Sequence, residues 1–176
     1  MMTLDGGKIY GPRGMGMLYV KRGVSEVVGK IERAGTENVP GIMAFAYALE
    51  LAEKMREKET VRVAELKSFF FSELKNINPE IKVNGSINGL LENAVPSILN
   101  ISIPNIDNEF FLLQLDAKGI EVSTKSACLR DEDESYVLNA IGASSKNSVR
   151  FSFGRGTTKG ELKKVLKVIE GILNKK

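Results

Sequence analysis

The sequence predicts an α/β domain, and three observations predict it. Residues 97–103 and 148–153 carry β-branched and apolar residues in partial and strict alternation, the period of a half-buried strand. Apolar residues recur at helical spacing between and around those runs. Turn chemistry, such as Asn84-Gly85 and Asn88-Gly89, separates the short runs from residue 80 onward. Strands and helices interleaved in this way pack helices on a small sheet. Composition permits such a core, since 43% of the 176 residues are apolar and 27% are charged.

The first 20 residues read as loop, turn and strand. Gly6-Gly7 and Gly11-Pro12-Arg13-Gly14 are turn sequences, and residues 17–20 form a short apolar strand candidate. Residues 24–37 read as loop. A helix begins at Asn38, which can cap it, with Pro40 in the first turn and Ile42, Phe45, Ala46, Leu49 and Ala52 at helical spacing. A second helix is expected over residues 60–76, striped by Val63, Leu66, Phe70 and Leu74, with Pro79 beyond its end. Ile81-Lys82-Val83 alternates. Asp107 caps a helix through Leu115 that Gly119 stops, and residues 120–123 read as a strand. A short helix over 135–141 ends at Gly142. Thr158 and Glu161 form a capping box for a last helix striped by Leu162, Val165, Leu166 and Ile169. Residues 1–35 carry the glycines and turns of a binding loop but too few elements for a core of their own. Residues 80–176 read as the interleaved layer, and the domain boundary falls near residue 60, where the helical segment hands over to it.

What is absent limits the chemistry. The chain has no histidine, which excludes any histidine-dependent triad or proton shuttle built from it alone. Its one cysteine, Cys128, excludes an intrachain disulfide and fits a reducing cytoplasm. The net charge of +3, with basic residues spread along the chain, gives no argument for nucleic-acid binding. No run of apolar residues has the length of a membrane span, and residues 1–8 lack the pattern of a signal peptide.

Three side chains could carry chemistry. Lys8 sits among glycine turns that can bring it close to a ligand; a desolvated amine there is a nucleophile able to form a Schiff base, and a surface lysine in a turn is the plain alternative. Cys128 follows a predicted strand in a small, polar setting; Lys125 and Arg130 favour its thiolate, while the acidic run 131–134 opposes them. A buried, inert cysteine is the alternative. Arg150 shares one strand face with Ser152, opposite Val149 and Phe151, and a guanidinium on a rigid strand can hold a carboxylate through two parallel hydrogen bonds. A solvent-facing arginine is the alternative.

Together these segments resemble one family. The run from Lys8 to Val20, the stretch Arg33-Ala34-Gly35-Thr36-Glu37-Asn38-Val39-Pro40, the loop Ser126-Ala127-Cys128 followed by Ser135-Tyr136-Val137-Leu138, and the strand from Val149 to Arg155 match, in order, the C-terminal half of a cysteine desulfurase. Those enzymes are pyridoxal-phosphate-dependent and have the class V aminotransferase fold. The resemblance implies the α+β small domain of the type I fold of such transferases over residues 60–176, behind a remnant of the cofactor-binding large domain over 1–59. It implies that Lys8 holds pyridoxal phosphate covalently and shuttles protons. Thr36 would reach the cofactor phosphate of a partner subunit. Arg150 would grip the carboxylate of L-cysteine, and Cys128 would take its sulfur as a persulfide, leaving alanine. A homodimer, or a complementing N-terminal half, and an iron–sulfur scaffold protein are the implied partners.

The chain departs from the family pattern at four places. Gly7 stands where a histidine is frequent, Asp5 where a serine often binds phosphate, and Lys125 where glycine is usual; a glycine-rich loop before Arg33 is shortened. The resemblance also places the family's first half outside this sequence. With it go the ring-stacking residue, the aspartate facing the pyridine nitrogen and a phosphate-binding turn. The chain is therefore expected to act only with that half, and its start at Met1-Met2 reads as a split gene, a truncation or an internal start. The rival readings are a freestanding small domain that binds a scaffold or parent enzyme, a sulfur carrier using Cys128 without cofactor, and a related class V aminotransferase or selenocysteine lyase.

Overall fold

The computed structural model describes residues 1–23, 36–85, 94–125 and 134–174. It is a mixed helix-and-sheet fold, as the sequence predicts, and divides into two compact units, Met1–Glu57 and Lys58–Lys176. The division falls inside one continuous helix, α1 (Val39–Ile77, 39 residues).

In the first unit, strands β1 (Met2–Asp5) and β2 (Gly16–Tyr19) pair antiparallel, with Met2 opposite Tyr19 and Asp5 opposite Gly16. β1 is not apparent in the sequence, because four residues without a clear alternation gain their strand character only from the partner across the loop. The start of α1 follows the expected capping: the side-chain oxygen of Asn38 accepts the Gly41 N–H at 3.1 Å.

The single helix α1 replaces the two expected helices. The apolar stripe fades between Glu53 and Thr60, where Met55 is the one apolar residue. The backbone nevertheless continues, because this stretch is rich in strong helix formers and carries i,i+3 ion pairs: Arg56 with Glu53 and Arg62 with Glu59.

The second unit is built on a three-stranded antiparallel sheet in the order β3 (Lys82–Val83), β4 (Ile98–Ser102), β5 (Ser148–Ser152). Alternation fixes its register. Leu99 and Ile101 of β4 and Val149 and Phe151 of β5 enter the core, joined by Ile103 and Phe153 just past the strand ends. α1 covers this face with Val63, Leu66, Phe70 and Leu74, and Phe70 meets Phe151 and Phe153 edge-on at 5.1 and 5.8 Å between ring centroids.

Helices α2 (Asn108–Asp116), α3 (Tyr136–Ala140) and α4 (Lys159–Leu173) begin at the predicted caps Asp107, Ser135 and Thr158, the last in a complete capping box. Gly119 and Gly142 follow α2 and α3 at positive φ, as their stop positions require. α2 contributes Phe111 and Leu115 to the core, and α4 contributes Leu162, Leu166 and Ile169. The expected strand over 120–123 is reduced to a single bridge, Ser123 to Arg150. The described helices include none long and apolar enough to cross a membrane.

Candidate active site

Lys8 lies in a 3-10 turn, Gly6–Ile9, at the end of the β1–β2 ribbon, and is exposed. Backbone bonds close the loop on itself: the Gly6 N–H donates to the Met15 carbonyl and the Gly11 N–H to the Gly6 carbonyl, both at 2.8 Å. Gly6 is buried, and a Cβ there would stand 2.4 Å from the Pro12 carbonyl oxygen and 2.9 Å from that of Met15. Only glycine fits that closure. Asp5 finds its use here too. Its side chain accepts the Gly7 N–H at 2.8 Å and caps the turn, so this carboxylate serves the backbone. The loop thus presents the Lys8 amine from a turn whose backbone is fixed on both sides. Thr36 is exposed two residues before Asn38. Arg33, Ala34 and Gly35 lie outside the described residues, as does Asn88-Gly89.

Arg150 occupies the middle of β5 on the face of the sheet opposite the core. It is half-buried, and its Nε is fully buried with no hydrogen-bond partner among the described residues. A buried N–H of a guanidinium without an acceptor is costly, and a ligand carboxylate is the acceptor that a guanidinium fits best. Its backbone bonds Ser123 in both directions, at 2.7 Å from the Arg150 N–H and 3.1 Å from the Ser123 N–H. Residues 124 and 125 are then tied to α2: the Thr124 hydroxyl donates to the Glu109 carboxylate at 3.3 Å, and the Lys125 amine pairs with the same oxygen at 3.3 Å. Cys128 itself lies outside the described residues. The chain resumes at Glu134, and the Ser135 N–H donates to the Ser145 hydroxyl at 2.9 Å.

Two residues of this region are not foreseen from the sequence. Glu109 reads there only as an acidic residue in the first turn of a helix, which a helix dipole favours. Arg62 reads as a surface position. In the structure its guanidinium holds Glu59 through two bonds and also donates to the carbonyls of Thr157, Gly154 and Arg155 at 2.8, 3.2 and 3.1 Å. It thereby fixes the turn that follows β5. The bond from Arg62 holds the Glu59 carboxyl below its ordinary range, against the opposing effect of its burial.

The class of protein follows from comparison with known families. The model of the aminotransferase class-V family matches residues 1–165, and the chain belongs to that family. Among its curated relatives is a cysteine desulfurase IscS of Dictyoglomus turgidum, 37% identical over 188 aligned residues, which cover 99% of this chain and 46% of that protein. A putative cysteine desulfurase IscS 1 of Bacillus subtilis is 32% identical, with 99% of this chain and 48% of that protein covered. A solved structure described as a NifS-like protein superimposes with a TM-score of 0.78 at 30% identity, covering 97% of this chain and 45% of that one. The chain thus spans about half the length of the curated relatives it matches.

Proposed function

We propose that this chain is the C-terminal portion of a cysteine desulfurase and carries its lysine, its sulfur-accepting thiol and its carboxylate anchor. The observation that most supports this is the reciprocal backbone bridge between Ser123 and Arg150, five residues before Cys128. It sets Ser123 beside an arginine whose buried Nε has no acceptor among the described residues. A thiol and a carboxylate anchor suit an amino acid that offers its sulfur to one and its carboxylate to the other.

Pyridoxal phosphate fits at its aldehyde end by reach, since the Lys8 amine on its glycine-closed turn is open to an incoming carbonyl and becomes a nucleophile once the bound group removes water from it; Thr36 offers a hydroxyl for the phosphate of a partner subunit's cofactor. When bound, it supplies the electron sink for the substrate's α-carbon. The contacts to its ring come, on this reading, from polypeptide outside these 176 residues, in the same chain or another.

Lys8 holds the cofactor and moves protons at its Nζ. Arg150 takes the substrate carboxylate and so fixes where the sulfur lies. Cys128 accepts that sulfur: the carbon–sulfur bond of L-cysteine breaks, a sulfur–sulfur bond forms on Cys128, and the β-carbon takes up a proton to give alanine. Hydrogen and sulfur balance without an added oxidant or reductant. Delivery of the persulfide to an iron–sulfur scaffold is the downstream role this reading carries.

The test is sulfide and alanine release from L-cysteine by the chain together with a complementing family half. Lys8→Ala, Cys128→Ser and Arg150→Ala should each abolish or cut release at least about a hundredfold, the scale of a lost positioning or nucleophilic group. Release unchanged by Cys128→Ser rejects the thiol's role.

One observation favours a second reading, a binding domain without chemistry. Apart from Phe45, every buried apolar side chain described lies in the second unit, which therefore has a core of its own. A partner captured equally well after both Lys8→Ala and Cys128→Ser would support it.

A further inference from the structure

We propose that Asn100 is a second carboxylate donor, set beside Arg150 and aimed by a hydrogen-bond relay across the outer face of the sheet. Asn100 lies directly opposite Arg150 in the β4–β5 register, so both side chains leave the same face, with Cβ atoms about 5 Å apart.

The relay fixes which way the Asn100 amide points. The Ser148 hydroxyl donates to the Ser144 carbonyl at 2.5 Å, so its oxygen is left to accept. It accepts from the Asn84 Nδ2 at 2.8 Å, and the other Asn84 amide hydrogen goes to the Asn100 Oδ1 at 2.7 Å. The donor at Ser148 must therefore be the Asn84 NH2, and the Asn84 Oδ1 on the other side accepts from the Ser102 hydroxyl at 2.9 Å. Asn100 therefore turns its oxygen towards Asn84 and its NH2 away from it. Asn84 is anchored in turn by its backbone N–H, which donates to the Asn100 carbonyl at 2.9 Å.

Such a relay costs side-chain entropy in four residues, and it satisfies the Ser148 hydroxyl, which is fully buried although it lies on the polar face. It also leaves an oriented amide donor on the strand next to a guanidinium whose Nε has no acceptor among the described residues. One carboxylate can accept from both, one oxygen for each. The ligand class is an α-amino acid carboxylate. This rests on the reading of Arg150 as a carboxylate anchor.

The experiment is a nuclear magnetic resonance titration of the full 176-residue chain with L-alanine, with alaninamide as the uncharged control. The Arg150 Nε–H and the Asn100 side-chain NH2 signals should move together with L-alanine, along one saturation curve, and stay still with alaninamide. Asn100→Ser should weaken the Arg150 response roughly tenfold, the scale of one lost hydrogen bond to a charged group. Asn100→Asp should abolish it, because an internal carboxylate then occupies the guanidinium. The strand signals of Ile101 and Val149 report whether either variant keeps its sheet. If the Arg150 signal moves with unchanged affinity in both variants, the role of Asn100 is refuted while the anchor stands. If the Arg150 signal ignores L-alanine in the unaltered chain, the anchor itself is refuted and Asn100 with it.

Discussion

At the scale of single residues, the two candidate positions are held by different means. Lys8 depends on glycine: the turn that presents it closes only because Gly6 has no side chain. Gly6→Ala drives a methyl group against two backbone carbonyls, which neither rotate nor retreat as a flexible side chain would. We expect it to destabilise the first unit by about 2 kcal/mol, the scale of overpacking in a tight site. Limited proteolysis should then cut within residues 1–20 faster, with the 148–153 strand unaffected. Arg150 depends on its neighbours across the sheet, and its place on the outer face was legible from the alternation of Ser148 to Phe153. Its partners there were not. Ser123 is 27 positions away in sequence, and a single reciprocal bridge has no local pattern to betray it. Asp5 reads in the sequence only as a departure from a phosphate-binding serine, and the turn its side chain caps is visible only in the fold.

Between elements, α1 is joined to the turn after β5 through one side chain, Arg62. Arg62 joins Glu59 to three backbone carbonyls, and its side chain is 32% exposed against 22% for Glu59. Since the Glu59 carboxyl is held below its ordinary value of 4.5, the folded state prefers the ionised form. The stability this gives is complete above that value and is lost as pH falls through the lower folded value. Glu59→Gln should therefore cost stability near neutral pH, by about 1 kcal/mol for so partly exposed a pair. It should also flatten the acid limb of the stability curve below pH 4.5. Denaturant unfolding at a series of pH values measures both effects. An identical acid limb in the variant would mean the Arg62 bond does not hold the carboxyl. This junction also explains why α1 was split in the sequence reading. The stretch from Glu53 to Thr60 has no apolar face, and what sustains it are ion pairs and, at Arg62, bonds to residues 92 to 95 positions away. Caps and stops were legible because their chemistry is local: Asp107, Ser135 and Thr158 each bond an N–H three residues on.

For the whole molecule, the two units differ in how much they bury. The second holds the core cluster, whereas the first buries Phe45 and exposes Met2, Leu18, Tyr19, Met43 and Tyr47. Buried apolar area is the main driving force of folding, so the units should differ in stability. Hydrogen exchange should release amides of β1 and β2 well before those of β4 and β5; simultaneous exchange would show one cooperative unit instead. The α/β class was legible because interleaved strands and helices leave a periodic signature. The division between Glu57 and Lys58 falls within a helix, two residues from the boundary expected near residue 60.

The central claim is that Cys128 takes sulfur from an amino acid held by Arg150 and prepared at Lys8. Its most direct measurement is mass spectrometry of the Cys128 peptide after the chain, joined by a complementing family half and pyridoxal phosphate, has met L-cysteine and an alkylating trap. The account predicts one additional sulfur on that peptide, absent from Lys8→Ala and strongly reduced in Arg150→Ala. Sulfide release with no sulfur on Cys128, or a persulfide that forms undiminished in Lys8→Ala, would contradict it.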